Sequence, residues 1–356
     1  MAYCSSRHVL IIGAGPVGLC TGLELRRLGF KVTIIDAGIR GAGWASGGML
    51  APLYEFVAEP DMPPILVNFA LKSALLWQTL ASDLNVALQT GMIIVARDRR
   101  EQAHLDWLST QAQALNYPMQ AIAVPDFLLG CGAYSAKDEA SLDPRTVLRL
   151  LKLAFLERGG ICVKGMAAAI STQGVTLTDG TFVGGDLIIV ANGYAGSCFG
   201  FSISELNSLR PVKGQMARVG KQADFKGAIR AGRLYLLARE DTIVIGATSD
   251  QNACVTDEID LEPLADLLQE ATHLLPNLSQ CPVIEAWSGI RPDTPDHRPL
   301  VGPTRCDGVY LASGTYRNGW LLAPAIAQLL GAQLVEHDID FALQSLLAPS
   351  RFLFDR

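Results

Sequence analysis

The stretch HVLIIGAGPVGLCTGLELRRLGFKVTIID, residues 8–36, restricts the fold more than any other part of the chain. It begins with an apolar run that is typical of a buried parallel strand, and the run ends in a G-x-G-x-x-G at Gly13, Gly15 and Gly18. Apolar residues at helical spacing follow, and a second apolar run ends at Asp36. This order of strand, glycines, helix, strand and acid predicts the βαβ unit of a dinucleotide-binding fold. A G-x-G-x-x-G without these neighbours would be a weak signal.

Each residue of this motif has a predicted task. Gly13 permits a tight turn, Gly15 lets the backbone approach a pyrophosphate, and Gly18 lets the helix pack against the strand. The pyrophosphate would rest on the positive N-terminus of the helix that starts near Pro16. Asp36 would accept hydrogen bonds from an adenosine ribose.

A second glycine-rich segment, RGAGWASGGMLAPLYE at 40–55, follows directly. Gly47, Gly48 and the neighbouring Met49 would let backbone N–H groups come close to another part of an extended ligand. A flexible surface loop is the alternative interpretation, and the apolar side chain of Trp44 argues against full exposure.

The pattern of strand, glycine turn and helix occurs twice more along the chain. DLIIVANGYAG predicts a strand at 187–190, and GVYLASG predicts a late strand that leads to another glycine turn and a helix. Further cofactor-binding candidates in these two turns are Ala191, Gly193, Gly314, Asn318 and Gly319. Other clear signals predict helices at 64–84 and 144–158, a strand at 91–97 and a hairpin around 240–241.

These separated units predict an α/β fold with a discontinuous Rossmann-like nucleotide-binding domain, made of 1–84, 141–210 and 289–356. The intervening segments, 85–140 and 211–288, are richer in strand signals. They predict a smaller α+β substrate domain built on an antiparallel sheet.

Composition narrows the classes of partner. The net charge is −6 without a basic cluster, so nucleic acid is not an expected partner. No uninterrupted apolar run approaches about 18 residues, which argues against a transmembrane segment. The N-terminus leads almost directly into a strand and leaves no room for a signal peptide, and the eight cysteines form no C-x-x-C pair. We therefore expect a reduced cytoplasmic protein without a metal site.

A cation stands at the end of an apolar, strand-like run in SGIRPDTPDHRPLVG, residues 288–302. Arg291 is followed at once by a proline, and a buried unpaired charge costs several kcal/mol. Three alternatives would account for the charge of Arg291: a structural ion pair with Asp293 or Asp296, simple exposure to solvent, or an anionic ligand.

Over nearly its whole length the chain resembles the flavin-dependent amine oxidases of the D-amino acid oxidase fold, and among them the glycine oxidases of the thiamine pathway. The resemblance is carried by GAGPVGLCTGLELRRLG, GGMLAP, SLDPRTVL, IIVANGYAG, LRPVKGQM, IVIGATSD, WSGIRPDTPDHRPLVG and GTYRNGWLLAPA. It implies FAD, bound non-covalently and extended across the α/β domain. It also implies that the arginine of the G-x-R-P motif, Arg291, meets the carboxylate of the substrate.

Two more side chains are candidates for substrate binding. Arg317 in GTYRNGW would border the flavin and substrate pocket, or it is a surface charge or a structural tie. Tyr235 would donate to the substrate carboxylate, or it is a buried core tyrosine. Met49 and Ala51 would lie near the flavin ring, and the helix opened by Gly319 would face it.

The chain departs from the family pattern at three places. Gly43 stands where a serine is usual, Ala238 and Arg239 stand where Pro-Arg is common, and Asp36 replaces the commoner glutamate. None of the three removes an obvious catalytic group.

The expected reaction is oxidative deamination of glycine and other small amines or D-amino acids to an imine and 2-oxo acid, with dioxygen reduced to hydrogen peroxide. Hydride transfer to a flavin depends on orientation more than on an acid–base residue, and no histidine lies in a convincing site. For His297 alone, in the G-x-R-P loop, a contact with the ligand is left open as an alternative. A D-amino acid dehydrogenase that passes electrons to a quinone, or a flavin-binding protein without amine oxidase activity, are the alternatives. Assembly into a homo-oligomer stays open.

Overall fold

The computed structural model describes residues 7–197, 203–220, 225–252, 254–337 and 339–353, with the side chains of 196 and 197 excepted. Cys4 and Cys198 lie outside these residues. The α-helices are α1 (Pro16–Arg27), α2 (Ala42–Ala45), α3 (Pro64–Asp83), α4 (Arg99–Ala114), α5 (Pro144–Glu157), α6 (Leu261–Leu274), α7 (Gly319–Leu334) and α8 (Phe341–Leu347). A π-helical turn, Leu53–Val57, lies between α2 and α3.

The strands fall into three sheets. They are β1 (His8–Ile12), β2 (Lys31–Asp36), β3 (Met49–Leu50), β4 (Gln89–Ala96), β5 (Met119–Ile122), β6 (Gly132–Ser141), β7 (Ile161–Lys164), β8 (Ala167–Ser171), β9 (Gly174–Leu177), β10 (Phe182–Gly184), β11 (Leu187–Val190), β12 (Arg210–Gly220), β13 (Ala228–Ala231), β14 (Leu234–Ala238), β15 (Thr242–Gly246), β16 (Val283–Asp293), β17 (Leu300–Pro303) and β18 (Val309–Ser313).

The first sheet is the predicted nucleotide-binding sheet. Its order is β17-β18-β11-β1-β2-β7, and all pairs are parallel except β17 with β18. The register pairs Val9 with Val32 and Leu187, so the three apolar runs lie side by side in the centre. Because both faces of the sheet are covered, these strands are apolar throughout rather than alternating.

The second sheet confirms the predicted antiparallel architecture. Its order is β16-β12-β15-β14-β13-β4-β6-β3, with β5 paired to β6, and only β13 and β4 run parallel. The predicted hairpin is β14 and β15, which pair Tyr235 with Gly246. β16 crosses the predicted boundary between 288 and 289, and β3 comes from the first predicted domain segment. The division into domains stays a prediction.

One helix in the described part of the chain, α3, is long and apolar enough to cross a membrane, although 44% of its most apolar stretch is buried inside the protein. Its Trp77 donates from Nε1 to the carbonyl oxygen of Trp320 at 2.6 Å, and Ser73 donates from Oγ to that of Leu321 at 2.6 Å. Both contacts tie α3 to α7, as expected for a core helix.

Candidate active site

A cavity of about 560 Å³ lies where the parallel strands end and the second sheet begins. Segments that follow β1, β2, β11 and β18 line it, and β12, β13, β14 and β16 contribute residues from the other side. The carboxyl ends of parallel strands are where nucleotide ligands bind in open α/β sheets. Of the predicted site residues, those that line the cavity are Gly13, Gly15, Asp36, Gly47, Gly48, Met49, Ala191, Gly193, Tyr235, Arg291, Arg317, Asn318 and Gly319. Gly18, Gly314, Ala51 and His297 do not line it.

The G-x-G-x-x-G forms a narrow turn at one end of the cavity. Gly13 has φ +109°, and a Cβ there would lie 2.7 Å from the carbonyl oxygen of Ala191. A Cβ at Gly18 would lie 2.0 Å from the carbonyl oxygen of Gly13, so this glycine permits the close contact between helix and strand. Gly15 is different, because nothing lies within 4 Å of a Cβ built there, and its open side is the cavity.

Asp36 holds the turn together. Its Oδ2 accepts from the N–H of Ala14 at 2.9 Å and its Oδ1 accepts from the N–H of Gly38 at 2.8 Å. Each carboxylate oxygen keeps a lone pair for a further donor, so the acid can accept a ribose hydroxyl without losing these bonds.

The glycine-rich segment after β2 is a packed part of the site, which excludes the alternative of a flexible surface loop. Trp320 donates from Nε1 to the carbonyl oxygen of Gly43 at 2.8 Å. A Cβ at Gly43 would lie 2.4 Å from Cδ of Pro16, which explains why the serine common in the family would not fit here. Gly48 has φ +73°, and a Cβ at Gly47 would lie 2.8 Å from the ring of Tyr235.

Arg239, in the position where Pro-Arg is common, anchors the same segment. Its Nη2 donates at 3.0 Å to the carbonyl oxygens of Gly47 and Leu142, and its Nη1 donates to Oε1 of Gln89 at 2.6 Å. Burial lowers the pKa of this guanidinium. The arginine of the motif thus fixes the backbone beside the cavity.

Two helices point their N-termini at the cavity. α1 begins behind Gly15 and α7 begins behind Asn318, and neither has a side-chain cap. The residues around both starts line the cavity. Uncapped N–H groups at a helix N-terminus favour negative charge. Together with the glycine turn, they fit an extended cofactor with a central pyrophosphate and a second electron-rich end, as FAD has.

Arg291, on β16, has no acidic partner. Its Nη2 donates to the carbonyl oxygen of Thr248 at 3.1 Å and its Nη1 to that of Lys213 at 3.4 Å. Within the described part of the chain, no carboxylate lies within ion-pair distance of it. Burial lowers the pKa of the guanidinium, but an arginine remains charged. The cation therefore faces the cavity without a counter-ion from the described part of the chain.

The alternative of a structural ion pair between Arg291 and Asp293 or Asp296 does not hold, because both acids are bound elsewhere. Asp293 lies 2.8 Å from Nδ1 of His297, and Asp296 lies 2.9 Å from Nη2 of Arg351. His297 is 56% exposed in its side chain and lies outside the cavity lining, so the structure does not favour the alternative of a ligand contact.

Tyr235 lies at the cavity from β14. Its hydroxyl lies 3.6 Å from Sδ of Met216, a weak acceptor, and has no stronger partner among the hydrogen bonds of the described residues. Burial raises the pKa of Tyr235, while the nearby Arg291 lowers it. The phenol stays protonated at neutral pH and can donate to an anion at Arg291.

Arg317 is bound to the protein, as the structural-tie alternative predicts. Its Nε lies 2.6 Å from Oε2 of Glu55, and Nη1 of Arg230 lies 2.7 Å from Oε1 of the same carboxylate. Burial raises the pKa of Glu55, but Arg230 and then Arg317 outweigh it and lower the pKa overall. Both arginines and the acid line the cavity.

Sequence reasoning did not find Glu55 and Arg230. Arg230 stands in AIRA, a short apolar strand, which is the same signal that singled out Arg291. Glu55 gave no such signal, since its partners lie 175 and 262 positions further along the chain.

Other catalytic groups are scarce in the cavity. Its lining contains no histidine or cysteine among the residues that the structure describes. No group of three or more His, Cys, Asp and Glu that could hold a metal ion stands together in that part of the chain.

Comparisons with known proteins agree with this architecture. The family model for FAD dependent oxidoreductases (DAO) matches residues 8–333. Glycine oxidase of Pseudomonas aeruginosa is 30% identical over 349 residues, which cover 91% of this chain and 94% of that protein. The bifunctional protein ThiO/ThiG of Trichormus variabilis is 30% identical over 94% of this chain, and the chain spans 54% of its length. The crystal structure of glycine oxidase from Geobacillus kaustophilus superposes with a TM-score of 0.87 at 25% identity, covering 98% of this chain and 100% of that one.

Proposed function

Because the chain belongs to the FAD dependent oxidoreductase family, we propose that it oxidises glycine and other small amines or D-amino acids. The substrate loses a hydride from Cα and a proton from nitrogen, which leaves an imine. Water hydrolyses the imine of an amino acid to a 2-oxo acid and releases ammonia, or a primary amine where the substrate is a secondary amine. FAD, when bound, supplies the hydride acceptor and passes the two electrons to dioxygen, which with two protons becomes hydrogen peroxide.

The observation that carries the proposal is Arg291 at the cavity, which donates to two backbone carbonyl oxygens and has no acidic partner among the described residues. A planar guanidinium can bind a planar carboxylate through two parallel hydrogen bonds. Tyr235 would donate its hydroxyl proton to the same carboxylate. Two contacts at one end of a small amino acid fix the direction of its Cα, which is the condition for hydride transfer.

The remaining residues would hold the cofactor. The α1 N-terminus and the turn at Gly13 and Gly15 would bind the pyrophosphate, and Asp36 would bind the ribose. The α7 N-terminus at Gly319 would stabilise negative charge on the reduced cofactor. The absence of cysteine and histidine from the described cavity lining supports non-covalent binding.

The identity of the electron acceptor is the finer part of the proposal. A dehydrogenase that uses a quinone would need the same substrate contacts, so the cavity does not separate the two. The glycine oxidase names of the relatives favour dioxygen. The same resemblance extends the proposal to a role in thiamine biosynthesis in the cytoplasm.

The test is anaerobic reduction of the bound flavin, followed by its absorbance, with glycine, sarcosine, D-alanine, L-alanine and NADH. We expect glycine or a small D-amino acid to bleach the flavin and L-alanine to leave it oxidised. Oxygen uptake with the same amines would then separate oxidase from dehydrogenase. Reduction by NADH and by no amine would overturn the proposal.

A further inference from the structure

The cavity carries more positive charge than one carboxylate neutralises. Its charged lining residues are Asp36, Arg40, Glu55, Arg230, Arg233, Arg291 and Arg317. Arg230 and Arg317 share Glu55, and the carboxylate of Asp36 is bound to backbone at the nucleotide end. Arg40, Arg233 and Arg291 remain without an acidic partner in the described part of the chain. Arg40 lies over the ring of Trp44, 4.4 Å from its centroid, in the segment that follows Asp36 at the nucleotide end.

Arg233 lies in the hairpin between β13 and β14. Ala231 pairs with Leu234, so Gly232 and Arg233 form the two-residue turn, and Gly232 has the φ of +56° that such turns require. Arg233 is exposed and still lines the cavity. No hydrogen bond, ion pair or aromatic contact of its side chain occurs among the described residues.

An acid that lies against this turn, Glu101, is already bound. A Cβ at Gly232 would lie 3.6 Å from Oε1 of Glu101, which places this carboxylate against the hairpin. Glu101 forms an ion pair with Arg97, and Nε of Arg97 donates to both of its oxygens. Arg97 also pairs with Glu270. Glu101 therefore already has Arg97 as its ion-pair partner, whereas Arg233 lines the cavity.

The hairpin places Arg233 at the substrate end. Its turn leads directly into β14, and both Arg233 and Tyr235, two residues further along, line the cavity. Tyr235 pairs across the hairpin with Arg230, which binds Glu55 beside Arg317. Every one of these neighbours belongs to the half of the cavity that would hold the substrate.

Resting on the proposed function, we propose that Arg233 binds a second acidic group of the substrate, so that the preferred substrates are amines with two carboxylates. Arg291 would bind the carboxylate next to the reacting Cα, and Arg233 the distal one. The oxidation step is unchanged, because the distal carboxylate takes no part in it. An exposed ion pair contributes up to about fivefold in affinity and a desolvated one at least about thirtyfold. We therefore expect an ion pair between Arg233 and the distal carboxylate, at the mouth of the cavity, to raise the affinity about tenfold.

The experiment compares two isosteric pairs on the holoenzyme: iminodiacetate with its mono-amide, and D-aspartate with D-asparagine. Members of a pair differ in one distal charge and hardly in shape. We expect the wild-type kcat/KM to favour the diacid about tenfold in at least one pair. Arg233→Gln should lower this ratio of kcat/KM values about tenfold, and Arg233→Lys should keep part of the preference. The matched control is Arg99→Ala, an exposed arginine outside the cavity, which should leave the preference unchanged.

The outcomes separate the two proposals. If glycine bleaches the flavin and the wild type favours the diacid in neither pair, Arg233 is no substrate residue and the proposed function stands. A preference that survives Arg233→Gln also overturns the inference. If no amine of any kind reduces the flavin, the proposed function itself fails.

Discussion

Glu55 lies 2.6 Å from the Nε of Arg317 at the edge of the cavity. The same carboxylate binds Arg230 from the opposite side, and both Glu55 and Arg230 are buried. One acid thus neutralises part of the charge of two arginines. This arrangement sets Arg317 apart from Arg291, although the sequence presented both as substrate contacts.

Removing the shared acid should destabilise the fold. Breaking a buried pair leaves an uncompensated charge and costs about 3–5 kcal/mol, so Glu55→Gln should lower the free energy of unfolding by about that amount. Urea denaturation of the FAD-loaded protein measures it. Asp83→Asn, which removes an exposed partner of Arg158, is the control and should cost about 1 kcal/mol or less. Equal effects of the two variants would show that the buried network is not structural.

The second and third glycines of the first motif should respond differently to substitution. Gly15→Val should fold normally, because no protein atom lies within 4 Å of a Cβ built there, yet it should fail to retain FAD. Gly18→Ala should lower the melting temperature, because its Cβ would overlap the carbonyl oxygen of Gly13. Flavin absorbance per chain and thermal unfolding by circular dichroism separate the two effects. A fully loaded Gly15→Val would place the pyrophosphate elsewhere.

Flavin attachment is directly checkable. The purified protein should be yellow with about one FAD per chain, since the turn and both helix N-termini form one site. Acid precipitation should release the flavin into the supernatant, because no cysteine or histidine of the described cavity lining can bind it covalently. Colour that stays with the pellet would contradict this expectation.

Glu139 should make stability fall as pH rises. It is buried, its Oε1 accepts from the N–H of Leu53 at 3.1 Å, and burial raises its pKa to about 8 from 4.5. Between those two values the folded protein holds a proton that the unfolded chain has released. The contribution of Glu139 to the free energy of unfolding is therefore fully present below pH 4.5 and is lost as pH rises to about 8. The loss amounts to up to about 1.4 kcal/mol per pH unit.

Glu139→Gln should flatten the pH dependence of the free energy of unfolding between pH 5 and 8. The amide keeps the shape and an acceptor for Leu53, but it does not titrate. Urea denaturation at several pH values measures the slope, and Glu262→Gln on the exposed side of α6 is the control. An unchanged slope in Glu139→Gln would show that the acid is ionised in the folded protein.

Local patterns predicted the fold well, because the elements of the first sheet carry their own signals. The strand at 187–190 and the helix predicted at 64–84 occur as Leu187–Val190 and Pro64–Asp83. Apolar runs, proline at helix starts and glycine at turns act within a few residues. The small sheet of β8, β9 and β10 was not predicted, because its short, partly exposed strands lack a regular pattern.

The substrate end of the cavity was harder to predict, because its contacts join distant segments. Glu55 meets Arg230 across 175 positions, and nothing next to either residue indicates the other. Arg291 was identifiable because a cation in an apolar strand is unusual by itself. Arg233 gave no signal, since an exposed arginine in a hairpin is ordinary until the cavity behind it is seen.

The most direct test of the account is the kinetics of Arg291→Ala with glycine, on protein whose FAD content has been measured. Loss of one partner of a desolvated pair costs about 2–5 kcal/mol, so KM should rise at least about thirtyfold while FAD stays bound. Arg291→Lys should recover part of the loss, because an ammonium lacks the two parallel donors. Oxidation of ethylamine, which has no carboxylate, should hardly change. If acetate binds Arg291, it should shift the flavin absorbance of the wild type, and this acetate shift should be lost in Arg291→Ala. Arg210→Ala, an exposed arginine on β12, serves as the control. Normal oxidation of glycine by a fully loaded Arg291→Ala, with the acetate shift intact, would contradict the account.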